Sequence, residues 1–233
     1  IYEYMEWKIP KYAHIPLIHG EDGKKLSKRH GAFNIMDLKK EGFLPSAIIN
    51  NLILLGWSPK KQIDEKIEIQ SIINEFNIED LSKSASIFSF NKLNFFNNHY
   101  IRQVKNLNLF INYCKNNLVL KKYLEEDKDK IIRIFNTYKK DISKYYDMEK
   151  ISEIYFNNNF KLILKENFEK DFNNFYIDFL KLINEINLWN HEYISSQINQ
   201  FLKSKNIKFP VLGKPVRYIL TNNYNGPSIT DIF

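Results

Sequence analysis

The chain has 233 residues, with 34 Lys and Arg against 27 Asp and Glu and a formal net charge of +7. An apolar fraction of 44%, including 18 Phe and 14 Tyr, excludes a disordered chain, and the length suffices for one large or two to three small domains. The basic balance favours a polyanionic partner or an acidic membrane surface, although a coding bias towards Lys and Asn produces the same excess.

In chain order, Tyr2 to Trp7 reads as the inside of a helix, and the chain opens at Ile1 without Met, so it is expected to be part of a longer protein. Gly20 to Gly31 follows, holding Lys24, Lys25, Ser27, Lys28 and Arg29 between glycines. Such a loop can close on a polyphosphate, although an arbitrary basic turn is usually a solvated surface feature. His14 and His19 lie near Glu21 and Asp22, but their spacing does not suit one helix face, and no protein-bound metal is expected.

Asn34, with Asp37 three residues on, predicts a helix start, and Gly42 its stop. Pro45 opens a second helix through Ile48, Leu52 and Leu55 to Gly56, where a left-handed conformation costs little. Ile49 and Ile53 widen its apolar face, so this helix is expected to be mostly buried. Ile69, Ile72, Ile73 and Phe76 repeat the spacing, with Asn77 as terminator. Asn91 is the expected cap of the next segment.

Beyond residue 100, helices are predicted over 107–118, 129–138, 148–157, 160–168, 172–187 and 192–203, with little strand signal. Cys114 reads as a buried helical residue, and a single cysteine excludes an internal disulfide or a thiolate metal cluster. Trp7, Trp57 and Trp189 sit in apolar helical contexts and are assigned to cores rather than to stacking on bases. No apolar run approaches the ~20 residues needed to cross a bilayer.

The run Lys25-Leu26-Ser27-Lys28-Arg29, preceded by His14-Ile15-Pro16-Leu17, resembles the second signature motif of class I aminoacyl-tRNA synthetases as it stands in bacterial glutamyl-tRNA synthetases. Gly42-Phe43-Leu44-Pro45, Leu54-Leu55-Gly56-Trp57-Ser58, Leu81-Ser82-Lys83-Ser84 and Asn98-His99-Tyr100-Ile101-Arg102 extend the resemblance, which returns faintly at Lys214-Pro215-Val216-Arg217 and Gly226-Pro227. The family's first signature, His-x-Gly-His, is absent, since no two of the five His are three positions apart. The chain is therefore expected to be the C-terminal portion of a longer synthetase.

The resemblance implies a mainly α fold. Residues 1–31 would end the catalytic domain and carry the loop, 32–100 would be a helical connector, and 101–233 an all-helical anticodon-binding region, with a split near 160 left open. It implies a ligase that activates glutamate with ATP and Mg²⁺ and transfers it to the terminal ribose of tRNA-Glu, with tRNA-Gln left open. Lys28 matches the principal ATP-contacting lysine and Lys25 assists it; Ser27 and Arg29 complete the ATP contacts, and Gly23 and Gly31 act as hinges. Arg102 and Arg217 are candidate tRNA contacts. Alone, the chain is expected to be inactive but to bind tRNA, as a cytoplasmic monomer without membrane contact. The alternative is a non-catalytic basic helical adaptor. Glutaminyl specificity is disfavoured, because the bacterial glutaminyl enzymes end in β-barrels.

Overall fold

A computed structural model describes residues 1–12, 14–26, 34–58, 69–103, 107–157 and 175–233. The chain divides into two compact units, Ile1–Gln103 and Val104–Phe233.

The first unit begins with turns rather than the expected helix. Trp7 N–H reaches Tyr2 O at 2.9 Å, and Glu6 turns left-handed at φ 56°. Nothing among the described residues up to Leu17 is buried. The strand β1 (Ile18–His19) then pairs in parallel with β2 (Ser86–Ile87).

Between these strands lie α1 (Ile35–Lys40), α2 (Pro45–Ile53) and α3 (Ile69–Glu75), and α4 (Phe90–Arg102) follows them. Asn34 caps α1 by accepting the Met36 N–H at 3.0 Å. At its far end Phe43 N–H reaches Leu38 O and Gly42 N–H reaches Lys39 O, both at 3.0 Å, with Gly42 at φ 85°. This is the glycine-terminated closure expected at that end, and Leu38 and Phe43 meet in the core.

Pro45 opens α2 as expected, but the helix stops at Ile53, and Gly56 is not left-handed. Its backbone is instead tied across the chain, Gly56 O accepting Ser82 N–H at 2.8 Å. The buried face of α2 also differs from the expectation, since it carries Ala47, Ile48, Asn50 and Asn51 while Ile49 and Leu52 are exposed. One of these buried amides finds its partner on α4: Asn50 Nδ2 donates to Tyr100 Oη at 2.7 Å. Leu44, the residue before α2, has no side-chain cap of its own. Asn97, fully buried on α4, accepts the Leu44 N–H at 2.8 Å and donates to Gly42 O at 3.5 Å. The core is Leu38, Phe43, Ala47, Ile48, Leu55, Phe88, Leu93 and Phe96, with Leu26 packed against it. Asn77 caps the 3₁₀ turn Ile78–Asp80, and Ser89 rather than Asn91 caps α4.

The second unit comprises α5 (Asn108–Asn116), α6 (Leu118–Glu126), α7 (Lys128–Tyr138), α8 (Met148–Phe156), α9 (Tyr176–Asn184), α10 (His191–Lys205), α11 (Phe209–Thr221) and α12 (Ile229–Ile232). No described helix is long and apolar enough to cross a membrane. The helix expected over 160–168 lies outside the described residues, while α6, α11 and α12 were not expected. Single residues join the first three helices: Asn117 closes α5 and caps α6, and Asp127 closes α6 and caps α7. Asn117 Oδ1 accepts both Val119 and Leu120 N–H, at 3.0 and 2.9 Å. Its Nδ2 donates to Glu149 Oε1 on α8 at 2.6 Å.

Phe110 stacks on Phe135 at 4.1 Å between centroids, with Tyr145 edge-on to both. Cys114 is fully buried in its helix, as the sequence indicates. A further core gathers Phe179, Ile194, Ile198, Phe201, Leu212, Val216 and Ile229 from α9 to α12. Of the tryptophans only Trp57 is buried, whereas Trp7 and Trp189 are 56% and 53% exposed and each edges an aromatic neighbour, Tyr2 and Phe233.

Candidate functional site

The basic loop leaves a hairpin stem whose geometry follows from its glycines and acids. Gly23 N–H closes a turn on Gly20 O at 3.0 Å, and Gly20 N–H returns to Lys24 O at 2.9 Å. Gly23 sits at φ 72°, and a Cβ there would meet nothing within 4 Å, so glycine is required by backbone conformation and not by space. Asp22 Oδ1 accepts the Lys24 N–H at 3.0 Å across the tip.

The returning limb is tied back by a bridge between His19 and Lys25 and by Leu26 N–H to Ile18 O at 2.9 Å. Lys25 is exposed beside Leu26, which is half-buried against the core. Ser27, Lys28, Arg29 and Gly31 lie outside the described residues. The stem is fixed from below as well: Phe88 N–H donates to His19 O at 2.8 Å, and Ser89 Oγ donates to Glu21 Oε1 at 2.6 Å. Glu21, Ser89 and Asn97 escaped sequence reasoning, since each acts on a partner more than fifty residues away.

Arg102 is exposed on the last turn of α4 beside His99, where positive charge complements the helix C-terminus. Arg217 is more committed: its Nε donates to Pro227 O at 2.7 Å and an Nη to Tyr224 O at 3.0 Å. With Tyr218 stacked on Tyr224 at 4.6 Å and Asn222 left-handed, the guanidinium shapes the loop after α11.

In the same unit a cavity of about 340 Å³ is lined by Lys130, Arg133, Ile134, Thr137 and Tyr155 with Asp231 to Phe233. Cations, a carboxylate, hydroxyls and apolar groups meet there. Burial pushes the Cys114 thiol up to about 12 and raises the Tyr138 and Tyr145 phenols, so these groups stay neutral near pH 7 and are not activated nucleophiles.

Comparison with known proteins supplies the frame. Residues 1–95 match the family model for the catalytic domain of class I tRNA synthetases (E and Q), and residues 108–233 match that for the anticodon binding domain. Glutamate–tRNA ligase 2 of Wolbachia pipientis subsp. Culex pipiens is 35% identical, covering 100% of this chain and 50% of the relative. Glutamate–tRNA ligase 2 of Campylobacter concisus is 33% identical, with 100% and 49% covered. A crystal structure of a glutamate tRNA ligase from Elizabethkingia meningosepticum, in complex with its amino acid, shares the fold at TM-score 0.73 and 24% identity, over 100% of this chain and 50% of that one.

The stem of a basic loop on a small helical unit, followed by a unit that matches the anticodon binding domain, places the chain among the class I tRNA synthetases of the E and Q group. The chain spans about half the length of the curated relatives it matches. It belongs to the glutamyl-tRNA synthetase family.

Proposed function

We propose that the chain is the C-terminal part of a glutamate–tRNA ligase, supplying the ATP-closing loop and the tRNA-binding half. The observation that carries this is the position of the Lys-Leu-Ser-Lys-Arg run, which starts on the returning limb of a hairpin anchored to the connector.

The ligase joins glutamate to the α-phosphate of ATP and transfers the acyl group to the terminal ribose of tRNA-Glu. Mg²⁺ arrives with ATP. Negative charge grows on the departing pyrophosphate, and a cation placed where that charge develops stabilises the transition state more than the ground state. Lys28 is the principal such cation and Lys25 its assistant, while Ser27 donates to a phosphate oxygen and Arg29 completes the ATP contacts. Gly23 and Gly31 bound the segment and act as its hinges. Residues 1–31, 32–100 and 101–233 serve as catalytic-domain end, connector and anticodon-binding region. Arg102 faces tRNA backbone, and Arg217 serves tRNA by shaping the loop it holds. The ligase works as a cytoplasmic monomer.

In the complete ligase, Lys28→Ala is expected to slow adenylate formation by roughly 100- to 1000-fold, the cost of losing a transition-state donor, with thermal stability unchanged. ATP–pyrophosphate exchange checks this, and a wild-type rate would remove the assignment. The bare chain should bind tRNA without charging it. A complete native protein that binds tRNA but never exchanges pyrophosphate would instead be the adaptor.

A further inference from the structure

We infer that Glu21 is a positioning residue: its carboxylate, held by the Ser89 hydroxyl at the start of α4, fixes the direction in which the hairpin presents Lys25. The inference rests on the reading of Lys25 as a phosphate-facing cation.

Ser89 Oγ donates to Glu21 Oε1 at 2.6 Å and accepts the Lys92 N–H at 3.4 Å. One hydroxyl thus caps a 13-residue helix and grips the hairpin, its single proton committed to the carboxylate. A hydroxyl–carboxylate bond of this length is charge-assisted, and the positive end of α4 adds attraction for the acid. Glu21 therefore does at the turn what an ordinary solvated turn residue does not: it reaches a fixed point on another element.

The remaining attachment of the hairpin shows why that matters. The strands β1 and β2 pair over only two residues each, and Leu26 packs against the core at the far end of the returning limb, so the turn itself is only weakly held in direction by these contacts. Adjacent residues of the connector hold alternate residues of the hairpin, Phe88 through the His19 carbonyl and Ser89 through Glu21. Two fixed points on one side of the turn define an orientation that one does not. The limb so oriented carries Lys24, Lys25 and Leu26, and its cross-links, Gly20 to Lys24 and Leu26 to Ile18, transmit the constraint to Lys25.

The test has two arms. In the 233-residue chain, Glu21→Ala and Ser89→Ala are each expected to raise amide exchange at Gly20 and Leu26 roughly tenfold, with exchange in α5 to α8 unchanged. Glu21→Gln, whose amide oxygen still accepts from Ser89, should retain most of the protection, and the double variant should exceed neither single one. In the complete ligase, Glu21→Ala should raise the KM for ATP in pyrophosphate exchange by a similar factor, leaving the KM for glutamate and the melting temperature unmoved, with Glu21→Gln restoring it. Unchanged exchange at Gly20 and Leu26, additive effects in the double variant, or a loosened hairpin with an unmoved KM for ATP would each overturn the inference. An unmoved KM for ATP in Lys25→Ala would remove the underlying reading instead, and leaves the amide-exchange arm standing.

Discussion

Asn97 ends one backbone segment and begins another. Its carboxamide oxygen takes the Leu44 N–H at the start of α2, while its nitrogen reaches the Gly42 carbonyl that follows α1, all inside the core. Truncation to Ala strands a buried donor and acceptor together, so Asn97→Ala is expected to cost about 1–3 kcal/mol, or more with the cavity it leaves. Urea unfolding followed by the fluorescence of buried Trp57 reads that loss, and an unmoved midpoint refutes it. Cys114 gives a residue-scale expectation in alkali. Burial lifts its thiol from 9.0 to about 12 and raises the Tyr138 and Tyr145 phenols in the same unit. The fold therefore favours the neutral forms. Their stabilising contribution is complete below the unfolded-state value, near pH 9.0 for the thiol, and is lost as pH rises towards about 12. The urea midpoint of the second unit should fall across that window, and Cys114→Ala should flatten the onset of the fall.

Elements were legible where their signals are local. Asn34, Gly42 and Pro45 mark ends that the structure keeps, because a cap, a left-handed glycine and a proline in the first turn each act within a few residues. The helix α11 contains Pro210, Gly213 and Pro215, residue types that ordinarily interrupt a helical pattern. Pro210 falls in the first turn, where no N–H is needed, and burial of Leu212, Val216 and Tyr218 holds the helix through Pro215. The strands β1 and β2 are too short to show alternation. The burial of Asn50 on α2 depends on the Tyr100 hydroxyl that α4 offers opposite, and periodicity cannot supply that. The hairpin was legible as a glycine-bounded basic loop, whereas its Glu21 anchor was not, because Ser89 lies in another element. Asn117 gives the expectation at this scale. It caps α6 twice and grips Glu149, so Asn117→Ala should destabilise the second unit by about 1–2 kcal/mol in chemical denaturation.

Over the whole molecule, the charge of +7 and the split into two units set how the chain meets a polyanion. Its affinity for tRNA should fall as salt rises, with a log–log slope of about −0.7 to −0.9 for each phosphate neutralised. A filter-binding titration across ionic strength measures the slope, and salt-insensitive binding would sink the electrostatic account. The joints at Asn117 and Asp127 carry a consequence for how such a molecule can change in length. Where one side chain both stops a helix and starts its successor, there is no slack to absorb an added or deleted residue. Any change of one residue there would rotate α6 by about 100° against its neighbours, which follows from 3.6 residues per turn, and turn its buried Leu120 and Tyr123 towards water. Evolution and protein engineers alike must therefore place their insertions elsewhere in the chain.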